Sequence, residues 1–63
     1  MDKLMTTVEV AAALDVAPET VRYWRNIGTG PTARRVGRYI RYRQVDVDRW
    51  LDSQVVRREP VGQ

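Results

Sequence analysis

The sequence predicts a mostly helical domain with one small β-hairpin, in the order helix, helix, strand, strand, helix. Three observations predict it. Two short stretches, Thr7–Leu14 and Pro18–Ile27, carry apolar residues at helical spacing and are separated by only three residues. Arginines, aromatic and aliphatic residues then flank a Gly37-centred turn in the manner of a hairpin. A final segment repeats Val47, Trp50, Leu51, Gln54 and Val55 at helical spacing.

Thr6-Thr7-Val8-Glu9 opens the first helix as a capping box, in which a threonine hydroxyl and a glutamate carboxylate satisfy the first free N–H groups. Val10, Ala11 and Leu14 then make one apolar stripe. At barely two turns this helix would not stand alone, so tertiary packing must hold it. Asp15-Val16-Ala17 breaks it. Pro18 suits the first position of a second helix, and Glu19 suits the positive end of its dipole. Val21 and Trp24 point inward, and Ile27 continues the series. Gly28-Thr29-Gly30-Pro31 stops the helix. Two short helices joined by a three-residue turn have helix-turn-helix geometry.

The hairpin is expected to run from Ala33 to Val36 and from Tyr39 to Tyr42. A two-residue loop at Gly37-Arg38 sets Val36 opposite Tyr39, whereas a three-residue loop from Gly37 to Tyr39 sets Val36 opposite Ile40. The longer loop is preferred because it aligns Val36, Ile40 and Tyr42 on the core face, leaving Arg35, Arg41 and Arg43 to solvent and Arg38 at the tip. In the third helix Asp46 and Asp48 lie near the N-terminus. Pro60 ends the structured part, so residues 1–56 are read as one domain and 57–63 as a flexible tail.

A chain of 63 residues fits a single domain whose core must be small and efficient. It holds neither cysteine nor histidine. Disulfides, thiolate metal sites and Ser/His/Asp or Cys/His catalysis are thereby excluded, and a reducing, cytoplasmic setting is expected. The first residues lack the apolar core of a signal peptide, and no apolar run approaches the ~20 residues of a membrane span, so no membrane partner is expected. The carboxylates gather at helix starts, where capping accounts for them. Gly28-Thr29-Gly30-Pro31 is too short and wrongly placed for a phosphate-cradling loop. No enzyme activity, cofactor or metal site is expected.

Charge is the more telling signal. Residues 20–45 hold seven arginines and no acid, whereas the rest of the chain holds four basic residues and all eight acids, for a net charge of +3. Ten of the eleven basic residues are arginine, the side chain that pairs phosphates and guanine edges bidentately. A merely solubilising face would intersperse both signs; a segregated one points to a polyanion.

If Val21 and Trp24 face the core, then Glu19, Thr20, Tyr23 and Asn26 lie toward the other side of the second helix, with Arg22 and Arg25 on the flanks. That surface joins readers of base edges to donors for phosphate, the composition of a recognition helix on double-stranded DNA. An ordinary polar face would not explain two arginines and a tyrosine with no acid after Glu19. Arg38 at the hairpin tip, with Arg34, Arg35 and Arg41 beside it, suits a wing whose guanidinium enters a narrow minor groove. Trp24 and Trp50 could stack on bases, but each sits at core spacing with aliphatic neighbours and is read as structural. Tyr39 either covers the core or contacts backbone at the wing.

The ordered set Thr6-x-x-Glu9-Val10-Ala11-x-x-Leu14-x-Val16, Thr20-Val21-Arg22-Tyr23-Trp24, Gly28-x-Gly30-Pro31, Val36-Gly37-Arg38, Ile40-Arg41-Tyr42 and Asp46-Val47-x-x-Trp50-Leu51 resembles the excisionase family. These are phage and mobile-element DNA-binding proteins, also called recombination directionality factors, with a MerR-like winged helix-turn-helix fold. The resemblance covers roughly residues 6–52. It implies a second helix in a major groove, a wing at the adjacent minor groove, bent DNA, and DNA contacts at Thr20, Arg22, Tyr23 and Arg38. It also implies a site-specific recombinase (an integrase) as partner, steered toward excision. Two positions depart from the pattern. Asp15 stands where glycine or asparagine is common in the turn, and Ala17 replaces the usual serine or threonine cap of the second helix.

About one helix is expected after the wing, so no effector domain of the MerR type is expected. One small module reads few base pairs, so cooperative self-association on DNA or contact with the recombinase would supply the rest. A prophage transcription regulator of the same fold is the alternative. A third reading, an adapter whose basic face binds an acidic protein, differs in the salt dependence of its DNA binding.

Overall fold

Helix α1 (Thr7–Leu14) starts where its capping box places it. The Glu9 amide donates to Thr6 Oγ1 at 3.1 Å, and the Thr6 amide donates to Glu9 Oε1 at 2.9 Å. Asp15 ends the helix in the left-handed region at φ 58°, a conformation that aspartate tolerates better than most residues. The Asp15 and Val16 amides close back on the carbonyls of Ala12 and Ala11, and Val16 folds under to pack against the core. Helix α2 (Pro18–Ile27) follows with Pro18 at its start. The computed structural model describes residues 3–56; the expected tail at 57–63 and the first two residues lie outside them.

Strands β2 (Ala33–Val36) and β3 (Tyr39–Arg43) form the wing, and α3 (Gln44–Asp52) follows β3 directly. With its two helices, the wing and the third helix, the chain folds as a winged helix-turn-helix. The sheet, however, has three strands rather than two. Leu4–Met5 forms β1 and pairs antiparallel with β3, Leu4 opposite Arg43 and Met5 opposite Tyr42. The Gln44 amide adds a bond to the Lys3 carbonyl at 3.0 Å. Two residues are too few for a period-two pattern to be read, so this strand has no signature of its own.

The core gathers Met5, Val10, Ala11, Val21, Tyr42 and Val47, with Leu14, Val16, Trp24, Ala33 and Ile40 packed around it. Every element therefore contributes, as a domain this small requires. Trp24 and Trp50 meet with ring centroids 5.1 Å apart at 43°, which makes them partners of each other at the edge of the core. Gly30, at φ +82°, lets the loop after α2 pass against Trp24, since a Cβ there would lie 2.9 Å from Trp24 Cβ.

The hairpin corrects the preferred register. Val36 pairs with Tyr39, Arg35 with Ile40, Arg34 with Arg41 and Ala33 with Tyr42, so the loop is the two-residue Gly37-Arg38. Gly37 has φ +63° and Arg38 has no positive φ, the pattern of a type II′ turn, which matches strand twist and closes the shorter hairpin without a bulge. Ala33, Ile40 and Tyr42 consequently form the inner face, whereas Val36 lies on the outer face with Tyr39 and Arg41 and is exposed. Arg35 shares the inner side with Ile40 and reaches solvent beyond the core.

Two helix faces also differ from expectation. Ile27 is 57% exposed, because Val21 and Trp24 already close the contact with α1 and the core. Helix α3 runs three residues earlier than Val47 and stops at Asp52, so Gln54 and Val55 lie beyond it and are exposed. At this end the Ser53 amide bonds the Arg49 and Trp50 carbonyls, and the Ser53 hydroxyl donates to the Trp50 carbonyl at 2.6 Å, satisfying acceptors of the last turn. Leu51 is left half-exposed on the outer side.

Candidate nucleic-acid interface

Helix α2 buries Val21 and packs Trp24 against the core. A helix advances ~100° per residue, so the face opposite Val21 carries Glu19, Arg22, Tyr23 and Asn26. All four are exposed, and none makes a side-chain hydrogen bond or ion pair with another described residue. Thr20 is half-buried at one edge of this face, beside the exposed Ile27. The surface is polar, cationic at Arg22 and free, which is what a helix needs to lie in a groove.

Arg25 behaves differently from its neighbours. It is half-buried, and its Nη1 donates to Thr7 Oγ1 at 3.4 Å and to the Tyr42 hydroxyl at 3.5 Å. The side chain thus bridges the first turn of α1, the end of α2 and the middle of β3. Its long donor distances mark weak bonds, and a guanidinium has five N–H donors, so capacity for an outside acceptor is left over.

On the wing the arginines divide by partner. Arg34 Nε lies 3.0 Å from Asp46 Oδ2, and this buried carboxylate draws the side chain toward the first turn of α3. Arg41 sits directly opposite Arg34 across the strands, a like-charge pairing that would be unfavourable if both extended outward. The conflict is relieved because the guanidinium groups part. Arg41 donates from Nη1 to the Ile40 carbonyl at 2.8 Å and lies over the Tyr39 ring at 5.1 Å. Arg38, at the turn, lies over the same ring at 5.7 Å. Tyr39 is therefore an exposed outer-face residue and does not cover the core.

The residues expected on the recognition helix and on the wing all lie on α2 and the hairpin respectively. Glu19, Arg22, Tyr23, Asn26 and Arg35 are exposed and have no side-chain partner among the described residues, while Arg25, Arg34 and Arg41 are engaged within the fold and Arg38 lies over the Tyr39 ring. Two participants go beyond the sequence-based expectation. Asp46 lies in the first turn of α3 as expected and is also the buried partner of Arg34. A separation of 12 residues across a turn leaves no local pattern by which to find it. The gathering of two cations on Tyr39 did have a visible signal, an aromatic residue one position from Arg38 and two from Arg41.

No described helix is long and apolar enough to cross a membrane, and no group of three potential metal ligands forms among the described residues. A family model described as a helix-turn-helix domain matches residues 4–55. No curated protein matches the sequence.

Proposed function

Because the chain belongs to the helix-turn-helix domain family, whose members bind DNA, we propose that it is an excisionase: a sequence-specific, DNA-bending protein that directs a site-specific recombinase toward excision. The free face of α2 carries this reading most directly, since Arg22, Tyr23 and Asn26 project there without side-chain partners among the described residues. In the proposed complex α2 lies in a major groove, where Arg22 and Asn26 are suited to guanine and adenine edges and Thr20 and Tyr23 to phosphate or base contacts. Glu19 begins the same face and can accept from a cytosine amine. Arg38 enters the neighbouring minor groove, with Arg35 and Arg41 alongside. Arg25 and Arg34 act mainly as braces and lend their remaining donors to the backbone.

One module of this size buries only ~600–1,000 Å² on DNA, too little for high specificity alone. Several copies bound side by side, and contact with an integrase, complete the assembly. Its role is architectural: bent attachment DNA brings the recombinase sites into the geometry of excision rather than integration. The resemblance over residues 6–52 extends to small prophage transcription regulators of the same fold, the alternative reading, which an excision assay separates from this one.

Footprinting across a phage attachment site, paired with an integrase-coupled excision assay, tests the proposal. Regularly spaced protection and a rise in excised product on adding the protein are expected. Unchanged excision together with a response from a promoter fusion in the absence of recombinase would transfer the fold to transcriptional regulation.

A further inference from the structure

We propose that Tyr39 is a positioning residue, whose ring holds the guanidinium groups of Arg38 and Arg41 as a paired cation for the narrow minor groove of duplex DNA. The inference rests on the DNA-binding reading above and names how its wing would grip.

Four observations carry it. Both guanidinium carbons approach one ring, at 5.7 Å for Arg38 and 5.1 Å for Arg41, within the ~6 Å over which a ring quadrupole attracts a cation. Neither group meets a carboxylate among the described residues, since the ion pair there is made by Arg34 and Asp46. Arg41 is fixed a second time by its 2.8 Å bond to the Ile40 carbonyl. Tyr39 is 53% exposed and stands outside the core cluster.

Two like charges beside one ring repel each other. The negative ring face and the Ile40 carbonyl offset that repulsion only in part, which leaves positive potential concentrated at the wing. An anion meeting the pair would relieve it. The strongest concentration of negative potential on duplex DNA is the narrow minor groove of A·T tracts, which attracts inserted arginines. The Gly37-Arg38 turn fixes where the pair stands, because it sets Tyr39 opposite Val36 at the end of the ladder. Withdrawal of Arg34 to Asp46 keeps a third cation from crowding Arg41. Long side chains held before binding lose less freedom on complex formation than free ones, so the ring acts by preorganisation.

The test uses the full chain and labelled duplexes spanning its footprint, in two versions whose wing-side flank is an A·T tract or G·C-rich. Affinity is read by anisotropy over a range of salt. Tyr39→Leu is expected to bind the A·T version roughly 5- to 30-fold more weakly and to lose preference between flanks. Its salt slope should become shallower by about one to two, at ~0.9 for each phosphate it no longer neutralises. Tyr39→Phe keeps the ring and should match the parent. In an Arg38→Ala, Arg41→Ala background, Tyr39→Leu should have no further effect, since nothing remains for the ring to place.

Parent-like affinity and flank preference in Tyr39→Leu would overturn the inference. So would a Tyr39→Phe loss as large as that of Tyr39→Leu, which would put the hydroxyl at the DNA. A full additional loss in the doubly substituted background would also overturn it, by showing the ring touching DNA directly. These outcomes all presuppose a parent that binds duplex DNA; a parent that does not would remove the functional reading and the inference together.

Discussion

The guanidinium of Arg34 on β2 lies 3.0 Å from the carboxylate of Asp46 in the first turn of α3, with the Asp46 side chain 6% exposed and that of Arg34 48%. This pair ties the wing to the helix that follows it. Arg34→Ala leaves a buried carboxylate without its cation and should cost about 1–3 kcal/mol. That is less than the loss of a fully enclosed pair, because water reaches the arginine end. Asp46→Asn keeps an acceptor and the shape, so its cost should be smaller. Urea unfolding ranks the two, with Arg38→Ala as the reference expected within ~0.5 kcal/mol of the parent. Equal losses for Arg34→Ala and Arg38→Ala would remove the brace.

Ala17 occupies the N-cap of α2 in an extended conformation, φ −72° and ψ 146°, with no side-chain cap bond. Since Pro18 offers no amide, the free donors of that first turn begin with Glu19. Ala17→Ser places a hydroxyl oxygen where it can accept one of them and should add about 1 kcal/mol. In a domain this small that raises the Tm by ~4–8 °C. An unchanged or lower Tm would show that the serine does not cap.

Gly30 and Gly37 both have positive φ, at +82° and +63°, but only Gly30 is crowded. A Cβ on Gly37 meets nothing within 4 Å, whereas one on Gly30 meets Trp24 at 2.9 Å. Gly37→Ala should therefore lose only the backbone cost of placing a side chain at the glycine-favouring first position of a type II′ turn, ~1–3 kcal/mol. Gly30→Ala carries that cost and the clash, and should also disturb the Trp24–Trp50 contact. Thermal unfolding followed by tryptophan fluorescence separates them: both variants melt earlier, and Gly30→Ala alone shifts the native spectrum. A larger loss at Gly37 would contradict the geometry.

The parts of the fold written in local chemistry were legible in the sequence. The Thr6–Glu9 capping box and Pro18 at the start of α2 each depend on residues within one turn, and each takes its expected form. The failures share a cause, which is dependence on partners distant in sequence. β1 exists only because β3 offers Leu4 and Met5 an edge. The expected hairpin register places Val36 in the core opposite Ile40, but the Gly37-Arg38 turn closes one residue sooner, so Arg35 stands opposite Ile40 and Ala33 packs on the core opposite Tyr42. Ile27 continues the helical period in the sequence yet lies past the end of the core. The candidate interface divides the same way: the α2 face follows from spacing alone, whereas the engagement of Arg34 and Arg25 needed the folded neighbours Asp46 and Tyr42.

Salt titration of duplex binding by the parent, Arg22→Ala and Arg38→Ala measures most directly whether α2 and the wing grip two grooves. The parent's log K should fall with log salt at a slope of several units, about 0.9 per phosphate contacted. Arg22→Ala should lose about 1–3 kcal/mol together with base discrimination at one position. Arg38→Ala should bind more weakly and bend the duplex less, while keeping the same major-groove preference. A parent no tighter than a random basic peptide, or both variants binding and bending as the parent does, would contradict the two-groove grip.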